Sequence, residues 1–228
     1  MRAWLNALER WFLPSRCVLT GQGSDHLDIA DTLVAKWSVP EAVCPVCCEP
    51  SALAEVCGHC LTQPPAFERT QVGFYFEAEL ADLIHALKYR NQPAYARLLA
   101  ELLAERLDVA GVEAMVAVPL YAKRRRERGY NQAELLGQAL SKITGIPLLK
   151  GVRRIKDTPS QTLLNAEQRR RNLHGAFSVD AKMFKGVEQI ALLDDVVTTG
   201  ATMQALAHSL KTVTQVKSIQ AWAVAKTK

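Results

Sequence analysis

Ile190-Ala-Leu-Leu-Asp-Asp-Val-Val-Thr-Thr-Gly-Ala-Thr202 is an apolar run that ends in two adjacent carboxylates and passes into a short loop of Thr and Gly. An apolar run bounded this way predicts a buried parallel strand over residues 190–193. The Thr-Gly turn then opens a helix over residues 202–211. A strand-to-helix turn presents backbone N–H groups and a positive helix end to an anion, usually a phosphate. The carboxylates just before it accept hydrogen bonds from sugar hydroxyls. Together they describe a pocket for a phosphorylated sugar. A ligand-free turn with an acidic edge is the alternative, and Asp-Asp followed by Thr-Thr-Gly argues against it. Neighbouring strand residues face opposite sides, so Asp194 and Asp195 are not expected to be equivalent.

Working outward, strands are predicted at residues 72–76, 114–118, 177–179 and 218–225, with a short edge at 147–149. Helices are predicted at 79–89, 95–107 and 131–144. This alternation predicts an α/β fold with a mostly parallel sheet flanked by helices. Ligands in such sheets sit at the carboxyl ends of the strands, where Asp194 and Thr198 would lie. Pro64-Pro65 marks a boundary, giving an N-terminal segment over 1–68 and a larger domain over 69–228.

The N-terminal segment is set apart by cysteine. Cys44-Pro-Val-Cys47 and Cys57-Gly-His-Cys60 are two C-x2-C knuckles separated by nine residues. That spacing puts four thiolates around one tetrahedral zinc, with two disulfides as the alternative. Such a zinc would be structural, because four protein ligands leave no open position for water. Cys17 and Cys48 are spare, and His59 is expected to be exposed rather than a ligand. Residues 21–40, with Ile29, Leu33, Val34 and Trp37, predict a helix packed on the rest of the protein.

No apolar run approaches the ~20 residues that span a bilayer. The first residues have the spacing of a short amphipathic helix rather than a signal peptide, so the cytoplasm is the expected location. The formal net charge is +5, concentrated in Lys123-Arg-Arg-Arg-Glu-Arg128 and Arg169-Arg-Arg171. Such runs fit a solvated face, a nucleic-acid surface, or cations that neutralise a phosphorylated substrate.

The 190–202 stretch resembles the 5-phosphoribosyl-1-pyrophosphate (PRPP) motif of type I phosphoribosyltransferases. The resemblance implies that Asp194 and Asp195 are the catalytic acids. One would meet the ribose hydroxyls and the other support the loop or a hydrated magnesium. It implies that Val196, Val197, Thr198, Thr199, Gly200, Ala201 and Thr202 wrap the 5-phosphate. Pro119 and Leu120, after the strand at 114–118, would hold pyrophosphate. Residues 153–161 would form a mobile loop over it, and Lys88, Arg128 and Lys156 would supply cations. Tyr130 and Asn131 would contact the ligand or cap the next helix.

Val118-Pro-Leu120 followed by Arg128-Gly-Tyr-Asn-Gln132 also resembles the ComF competence-protein family, whose members join a zinc finger to a phosphoribosyltransferase domain. Leu87-Lys-Tyr89, Gln161, Arg171-Asn172 and Gly175-Ala-Phe177 extend the match over residues 40–228. It is similar especially to the branch linked to use of external DNA as a nutrient (GntX). The resemblance implies a type I phosphoribosyltransferase fold behind a small zinc ribbon, binding PRPP and magnesium. The implied activity is phosphoribosyl transfer to an acceptor that no residue identifies. The alternative is a non-catalytic PRPP-responsive adaptor or single-stranded-DNA-binding protein. Single-stranded DNA and DNA-uptake proteins are the implied partners. Family members often carry a further C-x2-C near the start, where this chain has Cys17 and Thr20.

Overall fold

A computed structural model describes residues 16–24, 28–157 and 175–228. Two short helices, α1 (Asp31–Val34) and α2 (Gly58–Thr62), precede strand β1 (Arg69–Tyr75). Helices α3 (Ala78–Tyr89) and α4 (Tyr95–Ala104) lead to β2 (Ala114–Ala117). Then come α5 (Ala122–Arg128), α6 (Gln132–Thr144), β3 (Leu148–Leu149) and β4 (Val152–Arg154). After β5 (Phe177–Val179), a 3₁₀ turn (Ala181–Phe184) precedes β6 (Gln189–Val197), α7 (Ala201–Val213) and β7 (Ser218–Lys226).

Five strands form one sheet in the order β1-β7-β6-β2-β3, with every pairing parallel. Central strands buried on both faces need near-continuous apolar sequence, and β6 and β7 supply it. Side chains alternate between two cores. Ala191 and Leu193 pack with α3, α4 and α6, whereas Ile190 and Leu192 pack with α7 and Phe184. Apart from the sheet, β4 and β5 form a small antiparallel pair.

The strand order reverses between β6 and β2. The chain leaves β6 through α7 toward β7 on one side, and leaves β2 through α5 and α6 toward β3 on the other. A crevice opens at such a switch point, outside the carboxyl ends of the strands. The site described below fills it.

Three expectations need correction. The basic run after Pro119, read as a loop, is largely the helix α5, which has no buried residue and ends on Gly129 in the left-handed conformation (φ +80°). Among its described residues, the segment 21–40 contains only the single turn α1. Its apolar residues still pack inward, with Ile29 and Trp37 in the same core as Phe74. Third, residues 153 and 154 of the expected mobile loop belong to β4, while 158–161, like Arg169–Arg171 and Asn172, lie outside the described residues.

The Trp37 ring meets Phe74 edge-on at 5.3 Å, and its Nε1–H donates to Glu79 Oε2 at 3.2 Å. Trp37→Ala should therefore cost about 3–5 kcal/mol, the usual cost of deleting a buried aromatic ring. A urea-unfolding midpoint unchanged from the parent would show that this segment does not share the core.

Candidate functional site

Strand alternation decides the fate of the two carboxylates. Asp195 follows the parity of Leu193 and falls on the side covered by α3; it is buried, with its Oδ1 2.9 Å from Lys88 Nζ. Burial alone would lower the Lys88 ammonium, but the pull of Asp195, with a smaller one from Asp194, raises it overall. Asp194 follows Leu192 to the other side and keeps part of its surface open to the crevice. Its Oδ1 accepts the Asp195 N–H at 2.9 Å. Burial first, and then the charge of Asp195, push the Asp194 carboxyl up to about 7 against the opposing pull of Lys88. The inequivalence expected from the strand geometry is therefore present.

Beyond Val197 the chain turns through Thr198, Thr199 and Gly200 into α7. Gly200 caps this helix at φ +70°, a conformation that side chains other than glycine rarely adopt. The turn and the strand end wall a cavity of about 220 Å³. Of the residues singled out in the sequence, Lys88, Pro119, Leu120, Arg128, Asp194, Asp195, Val196, Val197, Thr198, Gly200, Ala201 and Thr202 line it. Thr199 does not; it lines a second cavity shared with Cys47, Cys57 and Cys60. Lys156 lies outside the lining too, its ammonium beside Gly175.

Arg124, Arg154, Asn131 and Gln132 complete the wall. Arg124 and Arg128 are one helical turn apart, so α5 turns both inward, while Lys123, Arg125 and Arg126 are exposed. Arg125 is held outward by Glu134 at 3.1 Å. Burial, then the neighbouring Arg124, disfavours the charge on Arg154, and Asp194 favours it. Asn131 caps α6 by accepting the Ala133 N–H and donates to the Val118 carbonyl. It thereby ties the start of α6 to the end of β2. Tyr130 donates to the Leu87 carbonyl at 2.6 Å, tying the same turn to α3.

Cys44, Cys47, Cys57 and Cys60 converge, all four sulfurs lying within 4.8 Å of one another. Cys47 and Cys57 Sγ are 3.7 Å apart. Four sulfurs at ~2.3 Å from one zinc lie roughly 3.8 Å from each other, so the set fits a tetrahedral ion. Burial alone would raise the Cys44 thiol, but N–H groups of Cys57, Cys47 and Val46 pull it down to about 6. The four cysteines could thus hold a metal ion. His59 is exposed and outside this set. Cys48 is buried beside Lys226, its thiol pushed up to about 11 by burial.

Competence protein F of Haemophilus influenzae is 39% identical over 182 residues, which is 76% of this chain and 79% of that protein. This chain belongs to the ComF family. DNA utilization protein YhgH of Salmonella typhimurium is 32% identical over 195 residues, 82% of this chain and 85% of that one. Competence protein ComFC of Bacillus subtilis is 25% identical over 189 residues, 74% of this chain and 71% of that one. No family model matches the sequence. Among solved structures, adenine phosphoribosyltransferase from Thermoanaerobacter pseudethanolicus covers 60% of this chain and 83% of its own, at 18% identity and a TM-score of 0.36. That likeness is too distant to add weight. The ComF-family chain is an α/β protein, with a small cysteine module ahead of its parallel sheet. Among the described residues no helix is long and apolar enough to cross a membrane.

The raised Asp194 carboxyl has a measurable consequence. The folded protein keeps this proton up to about 7, whereas the unfolded carboxyl releases it near 3.8. The folded state therefore binds more protons between those values, and stability falls as pH rises through this window. Asp194→Asn removes the fall. Its melting temperature should match the parent near pH 4 and exceed it at pH 8 by ~3 °C or more, the shift that about 1 kcal/mol produces at this size. Parallel melting curves for the two proteins across this range would refute the shift.

Proposed function

We propose that this protein binds PRPP with magnesium in the crevice at the end of β6 and transfers its phosphoribosyl group to an acceptor. One observation carries the reading. Asp194, Thr198, Gly200 and Thr202 line a single cavity together with Arg124, Arg128 and Arg154. That combines groups for hydroxyls and a monophosphate with cations for a more highly charged anion.

In this reading Asp194 accepts hydrogen bonds from the ribose hydroxyls, and Lys88 keeps Asp195 in place behind it. The 5-phosphate lies against residues 198–202, at the N-terminal end of the thirteen-residue α7. The diphosphate lies by Pro119 and Leu120, its charge met by the three arginines. Burying like-charged guanidiniums together is unfavourable until an anion joins them. Magnesium, when bound, would offset the charge of the diphosphate, with Asp194 the carboxylate in reach. Breaking the bond at C1 builds positive charge on the ring and negative charge on the departing diphosphate. The residues of this site act on that step by placement and electrostatics.

The cysteine cluster holds one structural zinc in this account, and reduced thiols suit the cytoplasm. Relatives named for competence and DNA utilization support a role in the use of external DNA. A second reading, in which single-stranded DNA is bound, is favoured by Tyr89. The residue is 65% exposed, and the Arg128 guanidinium lies 4.9 Å from its ring centroid. An exposed aromatic beside cations is a stacking platform for bases.

Pyrophosphate release from PRPP, measured across nucleobases, amines and DNA digests, tests the enzyme. Replacing both Asp194 and Asp195 with Asn should lower release by ~100-fold or more, as losing a group aimed at transition-state charge does. PRPP binding without release under any acceptor would leave a sensor rather than a transferase. Metal analysis should return one zinc per chain, lost on replacing Cys44 and Cys57 with Ser. No zinc in the parent would refute the ribbon.

A further inference from the structure

Lys226 ends β7, and its side chain is only 3% exposed. An ammonium taken that far from water has to be paired and hydrogen-bonded. Its partners come from three places. It donates to Glu49 Oε1 at 2.8 Å, to the Thr198 carbonyl at 3.2 Å and to the Thr227 carbonyl at 3.3 Å. Glu49 belongs to the cysteine module, and Thr198 opens the turn against which the 5-phosphate lies.

We infer that Lys226 is a positioning residue for the phosphate turn, and that Glu49 makes the cysteine module part of that site's support. This rests on the PRPP reading above. In a trans peptide the C=O and the following N–H point in opposite directions. With the Thr198 carbonyl held by Lys226, the N–H of Thr199 is directed away from Lys226. Thr198 and Gly200 line the crevice and Thr199 lines the neighbouring cavity, so holding this carbonyl fixes how the turn presents its two sides. Reversing the peptide would change the shape of the turn that lines the crevice. Thr198 and Thr199 are exposed and Gly200 is conformationally permissive, so the turn itself does little to prevent such a reversal.

Lys226 is fixed from its own backbone. Its carbonyl accepts the Phe76 N–H at 2.8 Å, and the next residue, Thr227, donates to Val197 at 3.1 Å. Glu49 is fixed by the first cysteine knuckle. Its carbonyl accepts the Cys44 N–H at 2.8 Å, and the Cys48 N–H closes onto the Cys44 carbonyl at 2.8 Å. The four thiols that shape this knuckle stay together when a metal holds them. Loss of the ion would loosen Glu49, remove the charge partner of a buried ammonium, and free the Thr198 peptide. Metal occupancy and phosphate affinity are therefore coupled through one side chain.

Binding of ribose 5-phosphate, PRPP and inorganic pyrophosphate to the full chain, measured by calorimetry, separates the outcomes. Lys226→Met should weaken ribose 5-phosphate and PRPP about tenfold, the size of one charge-assisted hydrogen bond. Pyrophosphate, which does not need the turn, should change by less than ~2-fold, within the scatter of distant substitutions. Glu49→Gln keeps the fold, since its side chain is half exposed, and should weaken ribose 5-phosphate roughly threefold. Chelation should weaken the parent to the level of Lys226→Met and add nothing to that variant, as coupled groups do in a cycle. If the parent binds neither ribose 5-phosphate nor PRPP, the PRPP reading falls and this inference with it. Parent binding that both variants leave unchanged overturns the inference alone. Equal losses for ribose 5-phosphate and pyrophosphate overturn it too, because they mark a collapsed cavity rather than a misplaced turn.

Discussion

Asp195 is a carboxylate buried near the end of a central strand, and Lys88 of α3 sits 2.9 Å from it. Removing one partner of a buried ion pair leaves an uncompensated charge and costs about 3–5 kcal/mol, so this contact constrains what surrounds it. It sets α3 against the end of β6. Tyr130 and Asn131 in turn set the start of α6 against α3 and β2. With Asp195 occupied on one side of the strand, Asp194 is the carboxylate left to the crevice. The Asp194 carboxyl is raised first by its burial in this arrangement and then by the charge of Asp195 beside it.

The sequence spoke most clearly where chemistry and local structure coincide. Asp-Asp-Val-Val-Thr-Thr-Gly combines a strand end, a turn and a helix start, and each feature reports on the same few residues. The cysteine set was legible for a similar reason, since C-x2-C spacing is itself the geometry of a knuckle. Arg124 was not recognised because α5 buries nothing and so carries no apolar stripe. Only its spacing of four from Arg128 marked it. Arg154 lay within the expected mobile loop and Lys226 just past the expected final strand, and their roles depend on contacts made by distant parts of the chain. Glu49, which holds Lys226, is 177 residues away in sequence. The helix expected over residues 21–40 is one turn among its described residues, and Ile29 and Trp37 reach the core from irregular chain on either side of it.

The cysteine module also answers a problem set by the sheet. β1 is an edge strand with β7 on one side only, and an open edge is a template for unwanted pairing. Here the Thr70 N–H donates to the Pro45 carbonyl at 2.9 Å, the Thr70 hydroxyl to Val46 at 2.5 Å, and the Tyr75 N–H to Ser38 at 2.8 Å. Ser38 and the first knuckle, through Pro45 and Val46, thus cover that edge. A segment this short buries too little to hold such a shape alone, which is where a metal would contribute. The same knuckle delivers Glu49 to Lys226 at the other end of the strand. The module thus both covers the edge of β1 and braces the turn at 198–200, and a chain stripped of it would lose both functions.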